Sequence, residues 1–249
     1  MQRVLVLLPP SEGKSVGGRG APLELARLSH PALTPVRERL VAALETAARS
    51  DPAALQAALD CSAGEVAKDA VLTSSPTVPA LRRYTGVVYE ALSHDTLSPA
   101  GRRRARASLR VASALFGLLS PHDPVPAYRL SAGTSLPGVG SLAAAWRPVL
   151  EPELAAHRLV VDLRSGPYAA LARVPHAVPV RVLRDTGGTR TVVSHDNKWI
   201  KGRLARALCE GGARSVADVA EAGRAVSDLV EVDGRRVDLV LFGLARQRS

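Results

Sequence analysis

One stretch, from Leu109 to Leu130, constrains the fold of this chain most strongly. Its first half, Val111 to Leu119, is almost wholly apolar and predicts a buried strand or helix. Its second half holds three prolines, Pro121, Pro124 and Pro126. Because each proline fixes its own φ and biases the preceding residue away from helix, this half predicts a stiff polar turn.

The turn carries polar side chains: Asp123 lies inside it, and Tyr128 and Arg129 follow closely. Polar groups on a rigid turn beside a packed element are typical of a functional site. An ordinary proline turn, with Asp123 as a local cap and Arg129 on the surface, is the alternative. The residues alone leave both interpretations open.

Composition bears on the core and on the partners. Hydrophobic residues make up 46% of the chain but aromatic residues only 3%, so Ala, Leu and Val must fill the core. Lys and Arg number 33 against 23 acidic residues, which gives a formal net charge of +10. Such an excess favours polyanionic or phosphorylated partners, although an arginine-rich coding bias would produce the same excess.

Cysteine and histidine usage indicates the compartment and the cofactors. Cys61 and Cys209 are far apart and match no metal-ligand spacing, so a reducing, cytoplasmic setting is expected. The six histidines show no metal-binding spacing, so we predict no metal site and no cofactor. No membrane contact is expected, because the chain has no run of 18 apolar residues.

Hydrophobic patterning predicts one mixed α/β domain over residues 1–249, with a central mixed sheet flanked by helices. Buried strands are expected at 3–8 and 159–163, and the glycine turns at 186–188 and 233–234 predict two hairpins. Helices are expected at 35–49, 51–59, 63–71, 78–81, 142–154, 199–209 and 216–222.

The polar loop PPSEGKS, residues 9–15, follows the first predicted strand. It is not a P-loop, because Leu8 stands where the first glycine is needed and no helix follows. We expect Ser11 and Lys14 to contact an anion from this loop. A plain surface lysine is the alternative.

Two further stretches have the character of phosphate-binding elements. Gly138 and Gly140 precede a predicted helix, as in the hairpin of helix-hairpin-helix DNA-binding elements, although no clear helix comes before them. A basic helix follows residue 197 and carries four cations, Lys198, Lys201, Arg203 and Arg206. An anion bound opposite these cations and a solvated basic face fit that spacing equally well.

In chain order these stretches resemble the YaaA family of peroxide-stress proteins, over nearly the whole chain. The most specific part of the resemblance is VASALFGLLSPHDPVPAYRLSAG, and VLVLLPPSEGKS, YTGVVYEAL, DLRSGPY and residues 198–206 support it. The positions that fit the family pattern are Lys14, Gly86, Val88, Tyr89, Gly117, Leu119, Pro121, Asp123, Tyr128, Arg129, Leu130, Ser165, Tyr168, Lys198, Gly202 and Arg206.

The chain is a divergent member on this reading, because Val87, Ser131 and Pro167 each stand where the family has an acidic residue. Lys201 likewise stands where the family has arginine. The resemblance implies a mixed α/β fold of the family's own kind and a cytoplasmic location. It also implies nucleic-acid binding and a role in limiting oxidative DNA damage and free iron, but it does not establish a catalytic activity.

Two hypotheses of function follow. The first is a protein that binds duplex or branched DNA. Its phosphate contacts would come from the cationic and glycine positions, together with the loop serine: Ser11, Lys14, Arg129, Gly138, Gly140, Lys198, Lys201, Arg203 and Arg206.

The second hypothesis is an enzyme that acts on a phosphorylated or nucleobase-containing small molecule. Its pocket would gather Ser11, Lys14, Asp123, Tyr128, Arg129, Lys198 and Lys201. Asp123 would be the base, Tyr128 a proton donor, and Arg129 with the lysines an anion clamp.

These hypotheses make two predictions about geometry. Lys14, Arg129, Lys198 and Lys201 should converge in space. Asp123 should pair with Arg129 or Lys198, because the prolines of its turn leave few local amides.

Overall fold

A computed structural model describes residues 4–192 and 195–242 of the protein. Its strands are β1 (Leu5–Leu8), β2 (Gly20–Pro22), β3 (Pro76–Pro79), β4 (Leu109–Ser113), β5 (Gly117–Leu119), β6 (Pro124–Val125), β7 (Ser135–Leu136), β8 (Gly140–Ser141), β9 (Val160–Asp162), β10 (Val178–Thr186), β11 (Thr189–Val192), β12 (Leu229–Asp233) and β13 (Arg236–Phe242).

The α-helices alternate with these strands. They are α1 (Thr34–Ser50), α2 (Pro52–Leu59), α3 (Ala63–Asp69), α4 (Ala80–Arg83), α5 (Val87–Leu92), α6 (Pro99–Ser108), α7 (Leu142–Ala155), α8 (Gly166–Ala169), α9 (His195–Gly211) and α10 (Val216–Arg224). Short 3-10 turns occupy Leu25–Arg27, Pro31–Leu33 and His94–Thr96.

A mixed sheet organises the molecule, in the order β12-β13-β10-β9-β1-β4-β5, with β11 also paired to β10. Strand β1 lies between two parallel neighbours, β4 and β9. All four of its residues, Leu5 to Leu8, are buried, as a strand covered by helices on both faces requires. The predicted mixed α/β fold with a central sheet is confirmed.

Helices cover the sheet, and one cluster of buried side chains extends from Val4 to Leu239. Helix α9 packs against α5, α6 and α10, whereas α7 packs against β5 and β8. Within the described part of the chain, none of the helices combines the length and apolar character needed to cross a bilayer.

Local signals were reliable where a side chain or a glycine fixes the backbone. Asp51 caps α2 by accepting a hydrogen bond from the Ala54 amide at 3.0 Å. Both predicted hairpins form, β10–β11 around Gly187 and Gly188, and β12–β13 around Gly234. Each of these glycines has a positive φ, which the turns require.

Two expectations of local structure need correction. Residues 78–81 are not one helix, because β3 ends at Pro79 and α4 begins at Ala80. The apolar run after residue 109 is a hairpin of β4 and β5. Its turn is closed by Ser113 Oγ, which accepts the Phe116 amide at 2.9 Å.

Candidate functional site

A crevice of about 350 Å³ opens where β1 and β9 end. The segment after β1 supplies Ser11, Glu12 and Lys14 to its lining, and the segment after β9 supplies Ser165 and Tyr168. The chain passes from β1 to β4 on one side and later returns to β9 on the other. Ligands of open α/β sheets bind at such a reversal, beyond the carboxyl ends of the strands.

The loop after β1 is fastened to residues 83–85. Lys14 and Tyr84 form an antiparallel bridge, the Ser15 amide donates to Arg83 O at 2.8 Å, and the Thr85 amide donates to Gly13 O at 3.1 Å. Gly86, at φ +97°, allows this approach, because a Cβ there would lie 3.1 Å from Ser11 Oγ.

The buried Arg83 guanidinium also fixes the same loop, through hydrogen bonds to its carbonyl groups. It donates to Gly17 O at 2.9 Å, to Val125 O at 3.1 Å and also to Ser15 O. Its side chain therefore satisfies carbonyl groups of a glycine-rich segment that has little regular structure of its own.

All four tyrosines of the chain meet at this crevice. Tyr168 lines it, and Tyr84 and Tyr128 lie beneath Lys14 with their rings edge to face, 6.5 Å apart. Tyr89 stacks on Tyr84 at 5.8 Å and donates its hydroxyl to Pro9 O at 2.8 Å. A chain with so few aromatic residues thus concentrates them at one place.

A chain of buried hydroxyl groups runs under the crevice. Tyr128 OH lies 2.7 Å from both Ser113 Oγ and Tyr84 OH. Burial raises the pKa of Tyr84 to about 12 and the pKa of Tyr128 well above its ordinary value. Both phenols therefore stay protonated and can pass hydrogen bonds but carry no charge at neutral pH.

The Lys14 ammonium is held against aromatic faces. Its Nζ lies 4.2 Å from the centre of the Tyr128 ring and 5.5 Å from that of Tyr84. It also donates to Ser11 O at 3.3 Å and to Glu12 O at 3.4 Å. Burial, reinforced by the positive charge of Arg129, lowers the pKa of Lys14 from 10.5 to about 8.

A carboxylate with a shifted pKa lies nearby. Asp69, fully buried at the end of α3, accepts the Arg129 amide at 2.8 Å through Oδ1, while its Oδ2 has no hydrogen-bond partner among the described residues. Burial raises the pKa of Asp69 from 3.8 to about 7, and the nearby Lys14 charge opposes that rise.

Arg129 provides the second cation of the crevice. Its side chain is only 13% exposed and pairs with Glu12, whose carboxylate lies 3.2 Å away and is 79% exposed. Within the described part of the chain, Arg129 Nε is buried without a partner. Because its partner Glu12 is so exposed, the guanidinium can exchange that carboxylate for an anion in the crevice.

Residues 4–226 match the family described as peroxide stress protein YaaA. The chain belongs to this family. A UPF0246 protein of Corynebacterium efficiens is 44% identical over 247 residues, which span 96% of this chain and 99% of the relative.

Further similar proteins come from other bacteria. A UPF0246 protein of Streptomyces coelicolor is 43% identical over 243 residues, covering 92% of this chain and 93% of the relative. One from Shewanella piezotolerans is 28% identical over 205 residues, covering 76% and 80% respectively. The resemblance to the YaaA family inferred from the motifs is confirmed.

Of the candidate site residues predicted from the sequence, Ser11, Lys14, Tyr128 and Arg129 line the crevice together, and so do Leu130, Ser165 and Tyr168, which fit the family pattern. Lys198 and Lys201 do not line it. Lys198 is exposed on α9, and Lys201 is buried near Asp162, which opposes the lowering of its pKa by burial. The prediction that four cations converge is therefore correct for Lys14 and Arg129. It is wrong for Lys198 and Lys201, which do not line the crevice.

Asp123 does not line the crevice, and its predicted pairing with Arg129 or Lys198 is wrong. Its Oδ1 accepts the Ser29 amide at 3.0 Å and the Ser29 hydroxyl at 2.8 Å, and its Oδ2 accepts the Ser120 amide at 2.9 Å. The turn thus supplies an amide that the prolines did not remove. A buried carboxylate with three donors anchors the turn.

The remaining cationic and glycine positions lie elsewhere. Arg206 donates to Leu92 O, Ser93 O and Thr96 Oγ1, so it ties α9 to the end of α5. Arg203 is exposed on α9. Gly138 and Gly140 are exposed, with φ of +72° and +77°, in the β7–β8 hairpin directly before α7.

Sequence reasoning missed Glu12, Asp69, Tyr84 and Ser113 as site residues. Tyr84 lies beside a segment that fits the family pattern, which is the one signal that could have found it. Asp69 has no such signal, since it reaches the site from 60 positions before Arg129. Among the described residues, no group of three or more His, Cys, Asp or Glu side chains is placed to hold a metal ion.

Proposed function

We propose that the crevice of this YaaA-family protein binds a small molecule that carries a phosphate or a carboxylate, and that the protein carries out proton-transfer chemistry on it. The observation that carries the proposal is the enclosure of Lys14 beside Arg129, in a crevice at the reversal point of the sheet. Two cations at such a point favour an anionic ligand.

The size of the crevice favours a small molecule over a duplex at this place. A volume of about 350 Å³ suits a metabolite. The Lys14 ammonium lies against tyrosine rings, whereas cations that neutralise DNA phosphates usually lie on exposed surfaces.

Proton transfer is supported by two groups whose pKa values lie near neutrality, Lys14 in the crevice lining and Asp69, which accepts a hydrogen bond from the Arg129 amide. The pKa of Asp69 is about 7 and that of Lys14 about 8. General acid–base groups work best when their pKa lies near the operating pH. Perturbed pKa values that cluster at a crevice are typical of reaction sites.

The proposal is tested by measuring binding of inorganic phosphate and of a nucleoside monophosphate by calorimetry and thermal shift. Arg129→Met should weaken binding by roughly 10- to 100-fold, the usual effect of losing a charge-assisted hydrogen bond. Arg203→Gln removes the same charge from the exposed face of α9 and should leave affinity unchanged. Equal affinity in the wild type and Arg129→Met would contradict the proposal.

Duplex DNA is a second candidate ligand, outside the crevice. The exposed Lys198 and Arg203 on α9, the exposed Gly138–Gly140 hairpin and the net charge of +10 favour it. Binding should be weak, independent of sequence and steeply reduced between about 50 and 200 mM salt.

A double variant, Lys198→Gln with Arg203→Gln, tests this second candidate. It should reduce the salt dependence of DNA binding, because each lost phosphate contact lowers the slope by about one. The Arg129→Met variant is the matched control, and it should bind DNA as the wild type does. Salt-independent binding would rule out a phosphate-contact mechanism.

A further inference from the structure

Lysine is rare in this chain, which has four lysines against 29 arginines. Of these four, only Lys14 lines the crevice. Arginine stays protonated in proteins, whereas a lysine amine can lose its proton and become a nucleophile. An arginine-rich chain that carries lysine at this position therefore has a chemical capacity there that arginine would not supply.

The surroundings of Lys14 are those of a reactive amine rather than of an ion-paired one. Within the described residues, its ammonium contacts two tyrosine faces and two backbone carbonyl groups but forms no ion pair with a carboxylate. The loop that carries it is fixed to Tyr84, so the amine has a defined position at the crevice.

We infer that Lys14 forms a Schiff base with the carbonyl carbon of a small substrate whose anionic group lies at Arg129. The inference rests on the proposed function and names its substrate class, a small aldehyde or ketone that carries a carboxylate or a phosphate. The Arg129 guanidinium lines the crevice and can pair with either anion.

The step balances without an oxidant or a reductant. The neutral amine of Lys14 adds to the carbonyl carbon, and one amine proton moves to the carbonyl oxygen. The resulting hydroxyl takes a proton from solvent at the mouth of the crevice and leaves as water, while the nitrogen lone pair forms the carbon–nitrogen double bond of a protonated, positively charged Schiff base. Schiff-base lysines are activated by desolvation and by a neighbouring cation, and both conditions hold here.

The amine is available near neutral pH. Because burial and Arg129 lower the pKa of Lys14 to about 8, its neutral fraction at pH 7 exceeds that of an ordinary lysine by more than about 100-fold. The exposed Lys198 provides a second lysine in the same molecule for comparison.

Reductive trapping tests the inference. The full-length protein is incubated with pyruvate or with dihydroxyacetone phosphate in the presence of sodium cyanoborohydride, and adducts are located by intact mass and peptide mapping. With pyruvate, one adduct of the mass of pyruvic acid less one oxygen atom is expected at Lys14. The probe that reacts identifies the anion, carboxylate or phosphate.

Two variants and the relative labelling of two lysines test whether the adduct forms at Lys14. Lys14→Arg keeps the charge and should abolish the adduct, whereas Lys198→Arg should leave it unchanged. Labelling of Lys14 should exceed that of Lys198 at least about tenfold, because the pKa of Lys14 is lowered to about 8. Equal labelling of Lys198, or an adduct that persists in Lys14→Arg, overturns the inference.

The phosphate-binding measurement separates this inference from the proposed function. Phosphate binding that depends on Arg129, without trapping by either probe, overturns the Schiff base and leaves the proposed function standing. Absence of both overturns the proposed function as well.

Discussion

The Lys14 ammonium lies 4.2 Å from the centre of the Tyr128 ring, so the loop after the first strand meets the turn before residue 130. Cation–π attraction and two carbonyl acceptors partly offset the cost of removing this charge from water. The offset is incomplete, since the pKa of Lys14 still falls to about 8. Burial of the Lys14 charge therefore lowers the free energy of unfolding, and this loss can be measured.

Lys14→Met should raise the free energy of unfolding at pH 7, by up to about 3 kcal/mol, because it removes a buried charge. The wild type itself should gain stability as the pH rises from about 8 to 10.5, since the folded state releases the Lys14 proton before the unfolded state does. The advantage of the variant should therefore shrink over this range. Urea unfolding at pH 7 and pH 10 measures it, and a constant difference would contradict the assignment.

Asp69→Asn should stabilise the protein above pH 7, because the wild-type carboxylate is then ionised in a buried place. The amide keeps an acceptor for the Arg129 N–H group. The folded pKa lies above the unfolded one, so the wild type loses stability as the pH rises from about 4 to about 7. The gain, of about 1 to 3 kcal/mol at pH 8, should vanish near pH 4. A variant less stable than wild type at pH 8 would show that ionised Asp69 is stabilising.

Asp123→Asn should cost about 1 to 3 kcal/mol of stability. Three groups donate hydrogen bonds to the Asp123 carboxylate, and in the variant one of them would face the N–H group of the new amide. Phosphate affinity at the crevice should not change, since Asp123 does not line it. Ser29→Ala, which removes only the hydroxyl donor, should cost less. Weaker phosphate binding at unchanged stability would show that Asp123 takes part in binding the ligand.

Glu12→Gln should tighten phosphate binding. The Glu12 carboxylate lies 3.2 Å from Arg129 and competes with any anion for that guanidinium. The pair is exposed on the Glu12 side, so the gain should be modest, about 2- to 5-fold, and should diminish in high salt. Glu24→Gln, which changes an exposed carboxylate in a surface pair with Arg27, is the control. Weaker binding in Glu12→Gln would mean that Glu12 helps to hold the ligand.

Gly202→Ala should destabilise the protein by several kcal/mol, since a Cβ there would lie 2.3 Å from Val88 O and would push α9 away from α5. Gly211→Ala, in the last position of the same helix, meets no atom within 4 Å and should be nearly neutral. Thermal unfolding of the two variants separates the packing effect from helix propensity. Similar melting temperatures would show that the two helices adjust without cost.

The sequence predicted those parts of the fold that neighbouring residues determine. Asp51 marks the start of α2, and Gly187 and Gly234 mark two hairpin turns. The β4–β5 hairpin was not recognised, because the residues of its turn, Ala114, Leu115 and Phe116, are apolar and the serine that closes it lies inside the apolar run.

The site was only partly predictable, for a different reason. Lys14 and Arg129 were found because each follows an apolar run and fits the family pattern. Tyr84 pairs with Lys14 across 70 positions, and Asp69 contacts Arg129 across 60, so neither contact has a local signature. Asp123 was misplaced because its main partner, Ser29, lies 94 positions away.

The fastening of the loop by Arg83 bears on how quickly a molecule can leave the crevice. With the carbonyl groups of Ser15, Gly17 and Val125 bound to one buried guanidinium, the backbone beside Lys14 cannot swing away as a lid. Only side chains such as Glu12 need to move, and exposed side chains change rotamer within nanoseconds. Residence time in the crevice should therefore follow affinity alone, without a slow gating phase in rapid-mixing experiments.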